Sequence, residues 1–85
     1  METKIALLEK IDILLASFNE DIYLNNIQSK EGTLVSICPK SQCVTYVNIW
    51  KMKTITLGAL SNYALAMIAE RLADVYNKRG QGFLN

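Results

Sequence analysis

The spacing of hydrophobic positions changes period twice along this chain. From Thr3 to Phe18, Leu7, Leu8, Ile11, Leu14, Leu15 and Phe18 recur at i, i+3, i+4 and i+7. That spacing lines one face of an α-helix, so a helix is predicted over about 3–18. Glu9, Lys10, Asp12 and Ser17 fall off the apolar arc, and Ile13 is an apolar outlier in the middle of the polar face. The period then shortens. Three strand-like runs follow, at about 21–28, 33–38 and 43–55, separated by Ser29-Lys30-Glu31-Gly32 and Pro39-Lys40-Ser41-Gln42. Clusters of Ser, Gly, Pro and charged residues at such places read as turns. From about Leu57 to Arg79 the helical period returns. Leu57, Leu60, Ala64, Leu65, Met67, Ile68, Leu72, Val75 and Tyr76 form a wide apolar arc. Lys78 and Arg79 suit the last turn of a helix, and Gly80 suits a left-handed cap, so the helix is predicted to stop there. A short tail, 80–85, carries Phe83 and Leu84.

The pattern therefore predicts one small α+β domain over 1–85, ordered α-β-β-β-α. A three-stranded antiparallel meander would pack against two helices, most simply both on one face. Counting across two four-residue loops places Val35 and Ile37 on the same face as Ile22, Leu24, Val44 and Tyr46. This face is uniformly apolar and is expected to lie under the helices. The opposite face would carry Tyr23, Asn25, Ile27, Leu34, Ser36, Cys38, Cys43, Thr45, Val47 and Ile49. An antiparallel sheet usually pairs an apolar inner face with a polar outer one. Here the second face is rich enough in Leu, Val and Ile to call for cover. Helices sandwiching the sheet would supply it, as would a protein partner or a second copy of the chain. The expected contacts are Tyr23, Ile27, Leu34, Val47 and Ile49, with the outliers Ile13 and Trp50. The third run is longer than the other two, so 49–55 is expected to overhang or bend away.

Composition narrows the function classes. An 85-residue chain is short for two cores, and a single core of this size is marginal, so self-association would add buried area. With 51% hydrophobic and 20% charged residues the chain reads as globular. A net charge of +1 supplies no strong field toward nucleic acid or an anionic surface. Glu9, Lys10 and Asp12 interrupt what would be the apolar centre of a signal peptide, and no run approaches the roughly 18 apolar residues of a membrane span. A cytoplasmic location, no membrane association and reduced cysteines are the corresponding expectations.

Candidate chemistry is sparse. The chain has no histidine, which removes the commonest general base and the commonest metal ligand together. Glu20-Asp21 is the only adjacent acid pair and falls at a helix-to-strand junction, where it reads as a solvated turn. Cys38 and Cys43 would face each other at the mouth of a hairpin, close enough for a disulfide. They read as small apolar residues first and as a redox pair second. Without a histidine they complete no structural zinc site unless a second chain contributes two more cysteines, and Gly58 and Gly80 belong to no phosphate-binding loop. No catalytic residue, cofactor or metal site is predicted. The expectation is a non-enzymatic protein-interaction module, a regulator or inhibitor that occludes a partner's surface, homodimeric. The alternative is a small nucleic-acid-binding protein whose basic patch, Lys51, Lys53, Lys78 and Arg79, is assembled by dimerisation.

Overall fold

The fold is described from a computed structural model over residues 3–84, with side chains described over 3–79. Helix α1 spans Lys4–Leu15 and begins where Thr3 Oγ1 accepts the backbone N–H of Ala6 at 3.2 Å. Such a cap satisfies a donor that has no partner within the helix. The helix ends before the predicted Phe18. The N–H groups of Ser17 and Phe18 bond back to the carbonyls of Leu14 and Leu15 in a tighter turn. Phe18 still reaches the core. Leu7, Ile11, Leu15 and Phe18 are buried, with Leu8 and Leu14 half-buried beside them.

The sheet has four antiparallel strands in sequence order, not three. They are β1 (Ile22–Gln28), β2 (Thr33–Cys38), β3 (Cys43–Asn48) and β4 (Lys51–Thr56). The long third run neither overhangs nor bends; it reverses at Ile49-Trp50 and pairs back on itself, Asn48 with Lys51 and Val47 with Met52. Sequence counting missed this turn because neither residue is a turn former.

The two faces also differ from the alternation a bulge-free count gives. Ile22, Ile37, Val44 and Ile55 make one cross-strand row on the inner face. Beyond that row β1 carries four residue steps, Tyr23 to Ile27, against two on β2, Ser36 to Leu34. Asn25 and Asn26 absorb the excess at φ 58° and 57°. Asparagine tolerates the left-handed region better than most residues, so this bulge costs little. A second irregularity lies between Leu34 and Ser36, where Val35 is the extra residue against β3. Each bulge reverses the in–out alternation. Ile27 and Leu34, expected on the open face, turn into the core with exposures of 5% and 0%. Val35, expected on the covered face, leaves the inner rows.

A 3-10 turn, Leu57–Ala59, precedes helix α2, Asn62–Leu84. Ser61 sets the start of α2. Its Oγ accepts from Ala64 N–H at 3.3 Å and its carbonyl from Leu65 N–H at 3.0 Å. The helix thus begins at Asn62 rather than Leu57, and it continues through Gly80 to Leu84 instead of stopping. Glycine inside a helix costs about 1 kcal/mol, which weakens a helix without ending it. The side chains of Phe83 and Leu84 lie outside the described residues.

Both helices lie on one face of the sheet. Leu7, Ile11 and Leu15 of α1, Leu65, Ile68 and Leu72 of α2, and Ile22, Leu24, Ile27, Leu34, Ile37 and Val44 of the sheet belong to one buried cluster. Every buried side chain among the described residues is apolar. Among the described residues, no element covers the outer face of the sheet.

Candidate interaction surface

The β3–β4 hairpin is paired without a break from Cys43↔Thr56 to Asn48↔Lys51. Its base is anchored in the core by Val44, fully buried, and Ile55, half-buried. Toward the turn that anchor is lost. Met52 is 72% exposed, Ile49 82% and Trp50 96%. These are among the most apolar side chains of the molecule, and burying one such side chain is worth roughly 1.5–3 kcal/mol.

The turn itself is unfavourable. A two-residue hairpin turn of the I′ type needs positive φ at both central residues, which is why Asn-Gly and Asp-Gly dominate it. Ile49 and Trp50 occupy these positions at φ 47° and 64°. For β-branched or bulky residues that region costs on the order of 1–3 kcal/mol each. Both side chains stand in solvent, so no packing of their own offsets the cost. Asn48 steadies the hairpin from one side, its Nδ2 donating to the Glu31 carbonyl at 2.8 Å. Lys51 and Lys53 flank the tip, and both are exposed.

Of the residues expected to meet a partner, Tyr23, Val47, Ile49 and Trp50 lie on the outer face or at the tip. Val47 is half-buried and pairs with Met52, so it continues the apolar surface inward from the turn. Ile27 and Leu34 are core residues and are not available for contact. Ile13 is exposed but belongs to the helical layer, where it lines an open groove with Ala6, Ala66 and Ala73. It does not join the hairpin tip.

The four basic residues do not come together within the chain. Lys51 and Lys53 sit at the turn end of the β3–β4 hairpin. Arg79 packs its guanidinium 5.1 Å above the Phe18 ring, in a cleft shared with Glu20, Asp21, Ile22 and Tyr23. That cleft is at the opposite end of the sheet, since Ile22 shares a row with Ile55 while Met52 shares one with Val47 and Thr33. A six-residue strand spans about 20 Å, so the Lys51/Lys53 and Lys78/Arg79 pairs form two separate spots. The acids Glu20 and Asp21, placed beside Arg79, offset one of them.

No family model, curated protein or solved structure matches this chain.

Among the described residues, no three His, Cys, Asp or Glu side chains gather as a metal ion would require. No described helix is long and apolar enough to cross a membrane. Cys38 and Cys43 are direct cross-strand partners at the closed end of the β2–β3 hairpin, both half-buried and both free thiols. The loop between them is fastened by Gln42 N–H, which donates to the Cys38 carbonyl at 2.9 Å. Ser41 Oγ accepts from Cys43 N–H at 3.3 Å, and the Ser41 carbonyl accepts from Cys43 Sγ at 3.6 Å. The Ser41 hydroxyl, with the backbone N–H groups of Ser41 and Lys40, hydrogen-bonds the Cys38 sulfur and holds that thiol below its ordinary pKa. Burial and the Asp21 carboxylate oppose the shift.

Proposed function

We propose that this chain is a small non-enzymatic protein-interaction module, a regulator or inhibitor that occludes a partner's surface by inserting its β3–β4 hairpin. The observation that carries the proposal is the Ile49-Trp50 turn. A residue pair ill-suited to a turn occupies it, and both side chains stand almost wholly in solvent. Strain of this kind persists where it serves something outside the fold. Trp is enriched among the residues that dominate binding energy at protein interfaces, seated in desolvated pockets. Flanking Lys51 and Lys53 favour a partner pocket that is apolar inside and acidic at its rim. They also oppose edge-to-edge pairing of β4 with another β4, since lysines on an exposed edge strand are a common guard against it. The favoured partner is therefore a different, larger protein. A homodimer would have to use the outer sheet face around Val47 and Met52.

The test places a photo-crosslinking side chain at position 50 and, as a control, at Tyr63, which is also exposed. A discrete adduct is expected from position 50 alone, and it should vanish when Ile49→Asn is added. Equal capture from both positions, or none from position 50, would sink the proposal. Light scattering over a dilution series separates the second copy from a foreign partner: a stable dimer lost in the Met52→Asp variant would assign the tip and outer face to self-association.

A further inference from the structure

We propose that Cys38 and Cys43 are an exchange-active dithiol that closes to a reversible cross-strand disulfide when it meets a small-molecule disulfide such as oxidised glutathione. The separation is right. Residues directly opposite in an antiparallel pair keep their Cα atoms about 4.5–5.5 Å apart, within the roughly 4.4–6.8 Å that a disulfide spans. The pair is held ready by the loop, with Ser41 bonded toward both cysteines and Gln42 closing the turn onto Cys38. The two sulfurs meet different surroundings. Cys38 faces hydrogen-bond donors, the Ser41 hydroxyl and two backbone N–H groups, while Cys43 Sγ faces an acceptor, the Ser41 carbonyl. Donors stabilise a thiolate, and the thiolate is the attacking species. This asymmetry assigns Cys38 as the attacking sulfur and Cys43 as the resolving one. The acid facing Cys38 is Asp21, in the connection just before β1, which restrains the effect without reversing it.

The exchange balances in two steps. The Cys38 thiolate attacks one sulfur of the glutathione disulfide, forming a mixed disulfide and releasing one glutathione thiolate. Cys43 then gives up its proton and attacks the Cys38 sulfur. The protein disulfide forms and the second glutathione leaves. The dithiol loses two electrons and two protons in all, and one glutathione disulfide becomes two thiols. The closed bond would staple β2 to β3 at the end where Gln42 Nε2 also bonds Asp12 of α1.

The experiment exposes the reduced full-length chain to oxidised glutathione at neutral pH, quenches with acid and reads intact mass. Expected is a chain lighter by two hydrogen atoms that retains no glutathione. Cys43→Ser should accumulate one glutathione on Cys38, whereas Cys38→Ser should react about tenfold more slowly. Ser41→Ala should shift the pH profile of Cys38 alkylation upward while leaving its plateau at alkaline pH unchanged. A folded wild-type chain that keeps both thiols, or carries two glutathiones and no internal bond, would overturn the dithiol. Equal rates for the two single-cysteine variants would overturn the assignment of roles.

Discussion

Two turns stand side by side at one end of the sheet, and they are built on opposite terms. The β1–β2 turn uses residues suited to it. Ser29 N–H donates to the Gly32 carbonyl at 2.9 Å, Ser29 Oγ donates to the same carbonyl at 2.8 Å, and Gly32 N–H returns to Ser29. Gly32 has φ 147°, a conformation side chains rarely adopt, and a Cβ there would run into the Val47 carbonyl oxygen. Glycine is required by both the backbone and the space. The β3–β4 turn, one hairpin away, also needs positive φ, in the left-handed region that suits Asn and Gly, and receives isoleucine and tryptophan. The first turn is selected by the fold. The second is tolerated by it, which places the reason for Ile49 and Trp50 in what they present to the outside.

Three substitutions test that contrast. Gly32→Ala should destabilise the chain most, by on the order of 3 kcal/mol, because it combines a disfavoured φ with a backbone clash. Urea unfolding gives the value, and a loss below about 0.5 kcal/mol would mean that the first turn is no better determined than the second. Replacing Ile49 and Trp50 together by Asn and Gly should raise stability by about 1–2 kcal/mol, since it supplies the residues a I′ turn favours. The same double variant should lose the crosslinked partner. Lower stability would show that Ile49 and Trp50 serve the fold, and the comparison would collapse. Asn48→Ala removes one exposed bond between the two turns and should cost only about 0.5–1 kcal/mol. A larger loss in thermal melting would make the second turn dependent on the first.

Much of the helical layer was legible from period alone. Leu7, Ile11 and Leu15, and later Leu65, Ile68 and Leu72, fall on the faces that a 3.6-residue repeat assigns, and all are buried. A helix binds its own backbone, so its apolar stripe can be read without knowing its neighbours. The sheet was harder because its faces depend on register. Asn25-Asn26 was a readable hint, since adjacent asparagines tolerate positive φ, but the shift at Val35 has no such signal. The two bulges carried Ile27 and Leu34 from the supposed contact face into the core. Leu34 therefore reports on folding rather than docking. Of the surface itself, Trp50 and Ile13 were visible as apolar outliers, and Val47 lies on the outer face that alternation assigns to it. The exposure of Met52 followed only from the reversal at Ile49-Trp50, which no turn residue announces.

The sequence by itself determined the α+β class, the two amphipathic helices and the antiparallel meander, because each follows from local period and turn chemistry. Tertiary structure decided the fourth strand and the two bulges, which carried Ile27 and Leu34 into the core and took Val35 out of it. Those outcomes depend on long-range pairing, where one extra residue reverses every side chain beyond it. The same pairing turns an unremarkable Asn-Ile-Trp-Lys stretch into an exposed apolar tip, and brings two cysteines five positions apart in the chain into register across a ladder.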